Sequence, residues 1–143
     1  MKKQRVRPGH ILEIPLPNGL FAYGKVHRED SIGVYDLVTS TRPQLPILVP
    51  FRFHVFTHIA LLNSGKWPRI GREGFSTPED EWPPPASVYD LISGGWSVYH
   101  HGEMRPSTRE EAGSLETAQV WYEDHIIGRI LEEMPGQAVV PNA

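Results

Sequence analysis

Seven histidines are the residues here whose type could ligate a metal or move a proton: His10, His27, His54, His58, His100, His101 and His125. His54 and His58 lie in "VPFRFHVFTHIA" (49–60), where apolar and polar residues alternate as in a strand. Four residues of strand separate them by about 13–14 Å, too far to hold one ion without a bend. The zincin pair works because a helix brings positions i and i+4 together, and a strand denies that geometry. His100 and His101, as neighbours on a strand, point to opposite faces. Folding could still gather His27, His54 and His100 with Asp36 or Asp90. No ligand spacing of a known metal site accompanies them, so neither a metal nor a cofactor is expected. Nucleophile chemistry fares no better. There is no Gly-x-Ser-x-Gly elbow, no cysteine and no Walker or dinucleotide-type glycine loop. Glu79, Asp80 and Glu81 are adjacent in a loop, whereas paired glycosidase acids must be held apart on a rigid scaffold. No catalytic residue is expected.

The same residues suit contact better than catalysis. "EDEWPPP" joins three acids, a tryptophan and a stiff proline run. A tryptophan on a preordered loop anchors an interface at small entropic cost. The competing reading folds Trp82 back over the rim of a sheet. The expected partner-binding residues are Glu79, Asp80, Glu81 and Trp82, followed by Glu29 and Asp30, and by the exposed strand side chains Arg52, His54 and His58.

The elements that must position these residues read mainly as strands. In "HILEIPLPNGLFAYGKVH", Leu12, Ile14 and Leu16 share one side, with Glu13, Pro15 and Pro17 on the other. Asn18-Gly19 supports the tight reversal of a hairpin. Leu20, Ala22, Gly24 and Val26 then face away from Phe21, Tyr23 and Lys25. Pro15 requires an edge or an outward N–H position, and Gly24 marks a bulge or close backbone approach. "SIGVYDLVTS" (31–40) predicts a third strand, and 49–60 a fourth with Val49, Phe51, Phe53, Val55 and Ile59 inward. "LLNSGKWPRIGREG" is a turn leading to an irregular segment, with Trp67 in the core. "SVYDLI" and "GWSVYHHGE" are two short strands around Ser93-Gly94-Gly95, with Trp96 inward, and "RPSTREEAGSLE" is a charged connector. After the strand-like "AQVW", Ile126, Ile127, Ile130, Leu131 and Met134 form a helical stripe. Asp124 is its expected N-cap and Pro135-Gly136 its stop. The expected fold class is α+β: a strongly curved antiparallel β-sheet, partly barrel-like, with one C-terminal helix packed on it.

Composition fits one domain: 143 residues, 39% hydrophobic, with fourteen prolines and thirteen glycines that imply short elements and many loops. Residues 9–134 are expected to form the single domain, between a flexible basic arm (1–8) and a flexible tail (135–143). Lys2, Lys3, Arg5 and Arg7 leave ten bases against seventeen acids in the remainder, an acidic body. Without a basic patch interleaved with aromatics, nucleic acid is not an expected partner. No apolar run reaches the ~18–20 residues of a membrane span, and the N-terminus lacks a signal-type apolar region, so a cytoplasmic location is expected.

"RPGHILEIPLPNGLFAYGKV", "GVYDL" and "GKWPRIG" together resemble the immunity protein 26 family of bacterial polymorphic toxin systems. The positions carrying the likeness are Gly9, Ile14, Pro15, Leu16, Gly19, Tyr23, Gly24 and Val26, then Gly65, Trp67, Pro68, Ile70 and Gly71. The likeness extends over most of residues 8–131 and is weakest between 72 and 114. His10 departs from the acidic or polar residue usual in the family. The resemblance implies an immunity protein without catalysis of its own, which binds and neutralises one cognate toxin. The acidic body suits a basic toxin such as a nuclease. The matching positions are glycine, proline and aliphatic scaffold, so no contact residue carries over. Some relatives bear the label of a metal-dependent phosphotriesterase acting on organophosphates. In that alternative, histidines and an aspartate would hold a water-activating metal.

Overall fold

The computed structural model describes residues 2–134. The opening segment folds as the alternation requires, into β1 (His10–Pro15) and β2 (Phe21–His27), paired antiparallel. Gly19 takes φ +85° in the reversal, and Asn18 Oδ1 accepts from Leu20 N at 3.0 Å. Leu12, Ile14, Leu16, Ala22 and Val26 join one apolar cluster, while Ile11 and Tyr23 join another on the opposite face. Pro15 sits past the last residue of β1 that pairs with its outer neighbour, so its missing donor disturbs no ladder there. At Gly24 the register with β3 (Ser31–Thr39) shifts, and a Cβ would overlap the Ile32 side chain.

β4 (Phe51–Phe56) pairs with β3 and is shorter than expected. Thr57 leaves the ladder: its N–H donates to Asp30 O at 2.8 Å and its hydroxyl to Trp121 O at 2.7 Å. The chain turns there into α1 (Ile59–Leu62), with His58 at the helix's entrance. Ile59, expected inside, is 43% exposed. A second correction comes from a bulge. Val34 pairs with Phe53 but Tyr35 with Phe51, so one extra residue on β4 swings Phe51 away from Phe53 and Val55. Phe51 packs instead with Tyr23 and Tyr35 on the far face. The segment expected to be irregular contains β5 (Arg69–Arg72), which closes an antiparallel sheet of order β4-β3-β2-β1-β5.

A second sheet, of order β8-β7-β6-β9, comprises β6 (Ala86–Tyr89), β7 (Trp96–His100), β8 (Glu103–Ser107) and β9 (Glu116–Thr117), with β9 parallel to β6. The fold is thus α+β, its strands divided between two sheets, with the C-terminal helix α3 (Glu123–Glu133) packed on the first. The charged connector holds β8, β9 and α2 (Arg109–Gly113), whose N-cap Thr108 accepts from Glu111 N. "AQVW" makes only an isolated bridge, Val120 with Phe56.

In α3, Ile126 and Ile130 are fully buried and Met134 nearly so, with Ile127 and Leu131 flanking them. The helix starts two residues earlier than expected. Tyr122 occupies the cap without a side-chain bond, and Asp124 lies in the first turn, where its charge complements the helix dipole. The Pro135-Gly136 stop and the 135–143 tail lie outside the described residues. Arg129 fastens α3 to both sheets. Its guanidinium bonds Glu116 on β9 at 2.9 and 2.5 Å, pairs with Glu133 at 2.6 Å, and lies 4.1 Å from the Phe53 ring centroid. At the N-terminus Gln4 is docked: its side-chain amide donates to Leu62 O and Trp67 O, and Val6 is buried. Among the described residues no helix is long and apolar enough to cross a membrane.

Candidate partner-binding surface

The acidic run 79–81 forms one turn of 3-10 helix, held by Thr77, whose hydroxyl accepts from Asp80 N at 3.3 Å. Two of its three carboxylates lie beside basic side chains of the same chain. Glu79 lies 3.3 Å from His100 Nε2, and Glu81 lies 3.4 Å from Arg28 Nε. Arg28 N also donates to Glu81 O at 2.9 Å, tying this turn to the β2–β3 reversal. Asp80 is exposed; burial lowers the pKa of nearby Lys25, and the charges of Glu73 and then Asp80 oppose that shift. Trp82 is half-buried, edge-on to His101 and 5.1 Å from the Arg28 guanidinium.

The β2–β3 reversal supplies the next acids. Glu29 and Asp30 both adopt left-handed backbone, with φ 64° and 51°. The Tyr99 phenol donates a hydrogen bond to Glu29 Oε2, and that bond raises the phenol's pKa. The other oxygen, Oε1, is buried with no partner among the described residues. Asp30 is exposed. The fold therefore brings Glu29 and Asp30 together with Glu79, Glu81 and Trp82, through Arg28 and the end of β7. A cleft of about 530 Å³ beside this rim is lined by Lys25, His27, Phe75, Asp80, Trp82 and His100, among others.

The remaining three expected residues are elsewhere. Arg52 projects toward α3 and pairs with Glu133 at 3.1 Å. His58 is exposed and tilted against Tyr122, with ring centroids 4.7 Å apart. His54 is not an exposed strand side chain. It packs against Phe51 and His27 at centroid distances of 4.6 and 4.8 Å. Its ring lies against the backbone of Gly33, where a Cβ would come within 2.5 Å of Nε2. That buried nitrogen has no hydrogen-bond partner among the described residues, and burial followed by repulsion from His27 pushes the imidazole's pKa down to about 3. Burial also lowers that of His27, against the opposing effect of Nδ1 bonding to Lys25 O at 3.0 Å. Two of the histidines that could have been gathered are thus neighbours, but His100 is engaged with Glu79 and Asp90 sits in a distant turn. Among the described residues no three His, Asp or Glu side chains form a metal-binding group.

Sequence reasoning missed the partners along the rim, which converge only through tertiary folding: Arg28 beside Glu81, Tyr99 on Glu29 and His101 against Trp82. It also missed Leu91 and Ile92. "SVYDLI" ends as a strand at Tyr89, and these two side chains stand on the β6–β7 turn, 88% and 98% exposed. The available signal was Asp90 ahead of Ser-Gly-Gly, a turn-forming set.

The described residues thus form two sheets, with an acidic rim where the β2–β3 reversal meets the 79–81 turn. The model of the immunity protein 26 family matches residues 7–98, well over half of the chain, and the chain belongs to that family. Searches of curated proteins and of solved structures find no match.

Proposed function

We propose that this protein binds one cognate bacterial toxin in the cytoplasm of the producing cell and neutralises it without catalysing a reaction. Residues 9–134 act as the single binding domain. Membership of the immunity protein 26 family is the observation that carries this reading. The contact surface we assign is the acidic rim of Glu79, Asp80, Trp82, Glu29 and Asp30. Glu81 positions Arg28 rather than facing the partner. The excess of acids outside the N-terminal segment suits a basic toxin, a nuclease being one such class, by electrostatic complementarity.

The test is co-expression with the toxin domain encoded beside this gene. The complex should co-purify, and cells carrying both proteins should grow where cells carrying the toxin alone do not. Growth arrest in the presence of the folded protein would refute neutralisation. Glu79→Lys combined with Asp80→Lys should weaken the complex at least tenfold, and unchanged affinity would remove the acidic turn from the contact surface.

A further inference from the structure

We infer that the β6–β7 turn, residues 90–95, is an apolar finger that inserts into a concave apolar pocket of the toxin, extending the acidic rim into one continuous interface. The inference rests on the neutralising role proposed above.

The finger is a preordered turn. Asp90 N donates to Gly95 O at 2.9 Å, Gly94 N to Asp90 O at 2.8 Å, and Ile92 N to Asp90 Oδ1 at 2.9 Å. Gly95 N reaches Ser93 Oγ at 3.2 Å, and Gly94 holds φ +72°. These bonds fix the turn while Leu91 and Ile92 meet almost no other atoms. At its base the Tyr89 and Trp96 rings pack together at 4.6 Å, and Tyr89 remains 45% exposed. A rigid turn carrying large apolar side chains loses little conformational entropy when it docks.

The occupant follows from size and charge. Contact between the fingers of two copies would join only a few residues of each turn, far below the ~20–30 residues a side of a stable interface. A larger partner can cover more. The finger and the acidic turn lie at opposite ends of β7, with Trp96 at one end and His100, beside Glu79, at the other. Those two residues are separated by about 13 Å of strand. A standard interface of ~800 Å² per partner is wide enough to span that distance and place an apolar centre beside a charged rim. The fitting partner surface is therefore an apolar pocket flanked by basic residues.

The decisive experiment measures binding of the full chain to the neighbouring gene's toxin domain by calorimetry, with wild type, Leu91→Ser/Ile92→Ser and Glu79→Lys/Asp80→Lys. Because both aliphatic side chains are exposed, the serine variant should keep the wild-type circular dichroism and melting temperature. It should bind about 100-fold more weakly. Wild-type binding with a serine variant within twofold of it would overturn the finger and leave the neutralising role standing. A wild type that elutes as a dimer, with a monomeric serine variant, would also overturn it, because the finger would then be a self-contact. Failure of the wild type itself to bind would refute the neutralising role, and the finger's docking with it.

Discussion

His54 shows how one side chain can set the pH range of the fold. Its imidazole is buried against Gly33 and Phe51 and titrates near 3, well below the ordinary value of 6.5. The unfolded chain therefore takes up a proton that the folded one refuses. The stability contributed by neutral His54 is complete above about pH 6.5 and declines as pH falls toward 3. Each pH unit in that window removes about 1.4 kcal/mol, so urea unfolding at pH 4.5 should show a loss of about 2–3 kcal/mol relative to pH 7. His27, lowered by burial too, adds to the loss in the same window; a His54→Gln variant should still flatten the slope, and an unaltered slope would assign it to other groups. Glu111 and Glu133, held below the usual carboxylate range, contribute to acid loss only at lower pH. At the neighbouring glycine, Gly33→Ala would press a methyl group into His54 and Phe51. Thermal unfolding should report about 1–3 kcal/mol of destabilisation from that overpacking.

Among the elements, the hairpin of β1 and β2 and the stripe of α3 were legible in the sequence because local periodicity determines them. Leu12, Ile14, Ala22, Ile126 and Ile130 all reach the core that their spacing assigns. What could not be read depends on contacts distant in sequence. The bulge that turns Phe51 onto the other face of the sheet exists only because β4 meets β3, and β8, α2 and β9 carry no apolar period of their own. The acidic turn was visible as a charge run, but its pairing with Arg28 and His100 was not. Arg129 is likewise a plain helix residue in sequence, yet it connects α3, Phe53 and Glu116. Arg129→Ala should cost about 1–3 kcal/mol, less than a fully buried pair because both partners keep some solvent contact. Hydrogen exchange should quicken in 86–117 and stay nearly unchanged in β1 and β2. Uniform loosening would show that the two sheets open as one unit.

For the whole molecule, the uneven charge makes association with a basic partner dependent on salt. Raising ionic strength from about 0.05 to 0.5 M should slow complex formation by roughly tenfold while changing dissociation less. A salt-insensitive association rate would argue for a neutral partner surface. The β2–β3 reversal adds a consequence of another kind. Asp30 is a non-glycine residue in left-handed backbone, with its carboxylate in water. Asp30→Gly relieves about 1–2 kcal/mol of left-handed strain and returns about 0.4–1 kcal/mol of freedom to the unfolded chain, so thermal unfolding should report a net gain of up to about 1 kcal/mol. If that more heat-resistant variant also shields cells less well, the wild-type chain is tolerating a conformational penalty to keep one negative charge on display. Thermostability screening of this protein would then select against the property it serves.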